Sequence, residues 1–411
     1  MRSSCAGFRV ALLGSVLALA ALAPAVGASQ VDSERMRAIY GNRPSVLRPN
    51  GAAPVQAQPA YTVLRVFNSS IGDGADSGAG VTLDDLGNIY GTTDFGGESG
   101  VGTIFETRAD GSGTLLHSFA GADGAEPDGA VTLTAKGDLF GTTSSGGATG
   151  NGVLFKLTAK GKYKKLHDFA ASEGSFLRGR LARDRLGNFY GTALFGGVNG
   201  DGTVFKYASD GTLSVLHAFN GSDGQYPEHG VVRDSAGNLY GVTAFGGTEG
   251  YGTVFMIACD GTFSTLHSFI GDEGGFLYGA LAIDKAGNLY GSTENGGANG
   301  VGTVFKLAPD GTLTTLYSFT GGADGASPAG DMLLVGKNLY STTNEGGDPV
   351  CQCGVIYEIT STGKEKVLHA FTGSDGSAYA AGLTEQNGTF YGTTSSGGVE
   401  GDGVLFSLTK K

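Results

Sequence analysis

An aromatic residue returns at almost fixed intervals along this chain. It stands at Tyr90, Phe140, Tyr190, Tyr240, Tyr290, Tyr340 and Tyr391, in steps of 50, 50, 50, 50, 50 and 51 residues. Each lies in a segment like G-N-L-Y-G-T-T, and a Gly-Gly pair follows each one, from Gly96-Gly97 to Gly397-Gly398. A unit of this length cannot bury its own apolar face and must stack with copies of itself, in a solenoid or a propeller. Residues 61–411 hold seven such units.

Each unit carries four strand signals and no helix signal. In the second unit, strands a to d read as 130–134, 138–142, 152–157 and 163–169. All are short and rich in β-branched or aromatic residues. The a–b link is tight, D-x-x-G in several units (Asp84 to Gly87, Asp234 to Gly237), and the c–d link is an Asp-Gly turn such as Asp210-Gly211. Glycine there supplies the positive φ that a tight hairpin needs. The b–c and d–a links are long. In an up-and-down meander alternate links share an end, so the long loops gather on one face.

The two ends of the array complement each other. Residues 61–67 match a d strand, with no a, b or c before it, and the last unit stops after its c strand, 403–408. The leading strand can therefore complete the last sheet and cover its edge. The expected fold is all-β: a seven-bladed β-propeller of four-stranded antiparallel blades, closed by the N-terminal strand. An open β-solenoid would not need these matched ends. Two further aromatic sets recur, Phe105, Phe155, Phe205, Phe255, Phe305, Tyr357 and Phe406 on strand c, and Phe67, Phe119, Phe169, Phe219, Phe269, Phe319 and Phe371 on strand d. They suit the core between blades.

Composition narrows the partners. Acids outnumber bases 39 to 27, for a formal charge of −12, which argues against nucleic acid. Arg2 and Arg9 precede an apolar run from Val10 to about Leu22, and Val26-Gly27-Ala28 offers a cleavage site. The run is shorter than the roughly 20 residues of a membrane span. Residues 1–28 thus read as a signal peptide and 29–60 as a disordered Ala/Pro-rich tether. The expectation is a periplasmic or extracellular protein, with no transmembrane anchor in the mature chain.

The run G-N-x-Y-G-T-T, then G-G, G-x-G-T-V-F-K, D-G-T and L-H-x-F, resembles the Gloeo_Verruco tandem repeat, a bacterial family of exported proteins. The resemblance covers 61–411. The blade is also similar to a kelch unit, which implies strand a innermost and strand d outermost. Kelch repeats place a Trp in the last strand, and this chain has none. Relatives often end in a membrane-sorting tail, whereas here Thr409-Lys410-Lys411 directly follow strand c.

Candidate chemistry is sparse. His117, His167, His217, His267 and His369 share one d-strand position, with Arg65 and Tyr317 in the same place in the other two blades. One per blade on an outer strand is too dispersed for a shared metal, whose bonds are about 2 Å. His229 is different: it lies with Glu228 where a d–a loop enters an inner strand. Matching positions carry Asp128, Arg178 and Tyr278, with Arg180 close by. On the kelch analogy these six residues rim the channel on the long-loop face, either as a binding or catalytic cluster or as an ordinary polar rim.

Each d–a loop holds an acid before Gly: Asp73, Asp123, Glu173, Asp223, Glu273, Asp324 and Asp375. These are calcium candidates or turn-stabilising side chains, and one acid per loop is few for a cation cage. No other cofactor is indicated. The Gly-rich loops lack the strand–loop–helix context of a nucleotide site. Cys351 and Cys353 can form a local disulfide, leaving Cys259, at the far hairpin end, as a buried thiol. Three functions stay open: a binding or interaction propeller for a protein, glycan or other envelope component at the long-loop face; a polysaccharide lyase or hydrolase using Glu228, His229 and Arg178; and a purely structural envelope protein.

Overall fold

The structure is a computed structural model that describes residues 59–380 and 382–410. The signal peptide and nearly all of the tether lie outside the described residues. Seven antiparallel sheets follow one another along the chain, six of them built from consecutive strands. In the second blade the strands are Thr132–Leu133, Leu139–Thr142, Val153–Leu157 and Tyr163–Asp168. The leading strand Ala60–Val66 pairs antiparallel with Val404–Thr409, Val63 facing Phe406 and Arg65 facing Leu405. The chain therefore closes its own ring.

Strand a differs from expectation. In five blades it shrinks to two residues, because the segment before it turns through a residue of positive φ and a glycine. Asp76, Glu126, Phe176, Tyr226 and Phe276 occupy this turn with φ between 56° and 60°, and Ser327 takes the matching conformation, φ 53°, in the sixth blade. Inner segments crowd here. A Cβ on Gly230 would strike the Arg180 carbonyl, and one on Gly179 would strike the Gly230 backbone. In the last two blades strand a returns in two pieces, Ala326–Pro328 with Leu333–Val335 and Ser377–Ala380 with Thr384–Gln386.

The recurring motif is a set of hydrogen bonds. The Asp84 carboxylate accepts from the backbone N–H of Leu86 and Asn88, from the Asn88 side chain, and from the Tyr90 hydroxyl. Burial works against the Asp84 anion, but these donors outweigh it and lower its pKa. The next residue, Gly91, makes room for an aromatic: a Cβ there would lie 2.5 Å from the Phe105 ring. Each d-strand Phe then packs on the c-strand aromatic of the following blade, with centroids 5.0 to 5.7 Å apart. Edge-on and tilted contacts of this kind favour the ring quadrupoles. Phe67 against Phe105 is the pair that joins last blade to first.

Candidate functional site

The inner segments bring the long-loop candidates together at the channel mouth. Arg178 forms ion pairs with Asp128 of the preceding blade and, at 3.2 Å, with Glu228 of the following one. Glu228 is buried beneath it. His229, the next residue, pairs with an acid of another blade. Its Nδ1 lies 2.9 Å from Asp331 Oδ1, two blades on, and Asp331 also accepts from the Ala280 N–H. Arg180 reaches across from the third blade to donate to the Val81 carbonyl of the first, at 2.6 Å. Tyr278, expected on the rim, is buried.

Charge follows from this pairing. Burial disfavours the His229 cation, yet the carboxylates of Asp331 and Glu228 outweigh it and raise its pKa. Burial also opposes the Asp331 anion, but His229 leads the groups that pull it down to about 2. Inside the channel lies a cavity of about 410 Å³, with Arg180 and Asp331 in its wall beside Leu181, Leu281 and Leu383.

Three mouth residues escaped the sequence reading: Asp331, Asp76 and Asp94. The sixth d–a loop gains a residue between Phe319 and Asp324, while the a–b hairpin at Gly336-Lys337 loses one, so the 50-residue step conceals the shift. Following that insertion would have placed Asp331 in register with Arg180. Asp76 stands in the positive-φ turn and Asp94 at the end of a b strand, and the Asp94 N–H donates to the Asp76 carbonyl. Asp76 is raised to about 6, by burial and then by Asp128. Over blades three to five the Asp76 position is aromatic instead, and the residue equivalent to Phe95 is Phe again in blades three and four. Phe176, Phe195, Tyr226, Phe245 and Phe276 form an arc with successive centroids 5.0 to 5.8 Å apart.

The outer histidines and the loop acids are each other's partners. His117, His167, His217, His267 and His369 lie 2.8 to 3.0 Å from Asp123, Glu173, Asp223, Glu273 and Asp375. Arg65 pairs likewise with Asp73, and the Tyr317 hydroxyl donates to Asp324. Every calcium candidate is thus engaged within its own repeat. Among the described residues, no group of three or more His, Cys, Asp or Glu is placed to hold a metal. Cys351 and Cys353 are joined by a disulfide. Cys259 is exposed on its hairpin rather than buried, because the c–d turn projects from the blade, and it is not a free thiol either, being disulfide-bonded.

The sequence profile of the Gloeobacter/Verrucomicrobia repeat matches residues 53–239 and 229–411, the whole propeller. The chain belongs to this repeat family. A comparison with curated proteins returned no match. Among solved structures, the Gloeobacter/Verrucomicrobia repeat propeller is similar to the extracellular domain of the hybrid two-component system BT4673 from B. thetaiotaomicron, at TM-score 0.58 and 11% identity. That match covers 86% of this chain and 40% of the other. The corresponding domain of BT3049 from B. thetaiotaomicron gives TM-score 0.55 at 13% identity, covering 86% and 42%. A chain of the mitotic checkpoint complex gives 0.55 at 13%, covering 90% and 98%. At such identities the likeness is one of fold. No helix among the described residues is long and apolar enough to cross a membrane.

Proposed function

We propose that this repeat protein is an exported binding propeller that meets its ligand, a glycan or another envelope component, with the long-loop face around the channel mouth. One observation carries the reading. The repeats hold nearly the same residues at scaffold positions, yet at the mouth they differ in charge and shape: Asp128, Arg178, Glu228 and Tyr278 share one position, and Asp76, Glu126, Phe176 and Tyr226 another. Glycine would fit the second position without strain, and a non-glycine residue held at positive φ is a mark of functional sites. The similarity to extracellular domains of two-component systems supports the same reading by analogy.

The enzyme alternative draws on His229. With Nδ1 held by Asp331, its other ring nitrogen would serve as a base beside Arg178 as charge stabiliser, in a polysaccharide lyase or hydrolase. A thermal-shift screen of glycans and peptides, with product analysis for every hit, tests both. Binding that Arg178→Ala weakens, without product, supports the binding propeller. Product formation lost in His229→Ala supports the enzyme. A protein that binds nothing in the screen is the purely structural case.

A further inference from the structure

One position per blade marks the inner edge of the ring. It lies two residues before the one that faces the b-strand aromatic. Five blades place Gly or Ala there: Gly80, Ala130, Gly230, Ala280 and Gly382. The third blade has Arg180 and the sixth Asp331. All but Ala130 line the channel cavity of about 410 Å³. Small residues thus hollow the channel to the size of a small-molecule site, and the two exceptions bring opposite charges to its wall.

Those two charges are not partners. Asp331 Oδ1 pairs with His229 Nδ1 at 2.9 Å and accepts from the Ala280 N–H at 2.8 Å. Glu385, the other carboxylate in the wall, accepts at Oε1 from the Gly388 N–H of its own hairpin at 2.6 Å. Arg180 donates from Nη2 to the Val81 carbonyl of the first blade, which also accepts from the Thr384 hydroxyl of the last. Among the described residues that is the one hydrogen bond of its guanidinium, and Arg180 has no ion pair. Burial lowers the pKa of Arg180 and Asp331 does not make up the difference, yet a guanidinium stays charged. A cation in a channel wall with unused donors calls for an anion.

We propose that the channel binds a small monocarboxylate with an apolar body, its carboxylate held by the free N–H groups of Arg180. The planar fork of a guanidinium matches a carboxylate with two parallel hydrogen bonds. One unpaired cation beside two carboxylates in the same wall favours a singly charged ligand over a phosphate dianion. Val231, Val232, Leu281, Met332 and Leu334 supply aliphatic wall to the rest of the ligand. The Val81 carbonyl holds the guanidinium at the seam where the first and last blades meet. This site is inside the channel and does not rest on the mouth as a ligand face.

Isothermal calorimetry at matched ionic strength tests the proposal with benzoate, phenylacetate and hexanoate, each against its amide, which keeps the body and removes the charge. At least one acid should bind. It should do so at least about tenfold more tightly than its amide, and at least about tenfold more weakly to Arg180→Gln, since both changes remove a charged hydrogen bond. The comparison of acid with amide needs only the parent protein and decides even where the variant does not fold. No binding of any of the three acids, equal binding of acid and amide, or an affinity unchanged in Arg180→Gln would overturn the proposal. An acid lost in Arg178→Ala but kept in Arg180→Gln would place the carboxylate at the mouth and contradict it equally.

Discussion

The ring of Phe67 lies 5.1 Å from that of Phe105, and this contact joins the first strand of the chain to the third strand of the first blade. Both rings are fully buried. Phe67→Ala should therefore destabilise the propeller by about 3–5 kcal/mol. Phe269→Ala, which breaks the equivalent contact with Phe305, should cost a similar amount. Urea denaturation of the two variants checks this, and a loss confined to Phe269→Ala would mean that the ring is not sealed at Phe67.

The histidine–acid pairs act as outer latches. His117 binds Asp123, stacks on Tyr163 at 4.0 Å and meets Phe119 edge-on. Its replacement by Ala should cost about 1–2 kcal/mol, since a partner is lost together with a stacked ring. Because each loop acid is engaged by a side chain of its own repeat, the melting temperature should stay the same in EDTA and in millimolar calcium. A calcium-dependent rise would assign the acids a second role.

Glu365 occupies a position that is Tyr163 or Phe263 in other blades, and its neighbour is Asp324. Burial, then Asp324, raise it to about 7. A raised carboxyl destabilises the fold once ionised. The penalty is absent below the ordinary 4.5, grows through 7 and is constant above. Glu365→Gln should thus stabilise by on the order of 1 kcal/mol at pH 8, allowing for solvent around a half-buried group, and by almost nothing at pH 4. Melting curves at the two pH values decide it.

The His229–Asp331 pair gives the opposite signature. The raised His229 contributes in full below its ordinary 6.5 and loses that contribution as pH climbs through its folded value. The lowered Asp331 contributes above 3.8 and loses it as pH falls toward 2. The difference in stability between the parent and His229→Ala should therefore peak between these limits. It should be roughly 0.5–1.5 kcal/mol, because both side chains keep contact with channel water. A difference independent of pH would show that His229 is not paired as a cation.

What the sequence made legible was whatever repeats. The 50-residue period placed Phe105, Phe155 and their copies in the core, and the unmatched ends predicted that the leading strand would join the last sheet. The pairing of His117 with Asp123 is present as a constant offset of six residues in five repeats, but an offset alone does not say which side chains meet. The mouth is harder because its residues meet across blades. His229 and Asp331 are 102 residues apart and come together only when blades four to six pack around the channel. The positive-φ turn at Asp76 is also hidden, since nothing in an Asp or Phe announces a conformation that glycine usually takes.

The account depends on the two ends of the chain sharing one blade, because that closure assembles the mouth. Thr62 and Ser407 face each other in the joining ladder, and Thr62 is exposed. In the double variant Thr62→Cys, Ser407→Cys, non-reducing peptide mapping of the monomer should recover a peptide pair linked between these positions. Free thiols at both positions in a folded monomer, or a bridge formed only between molecules, would contradict the closed ring.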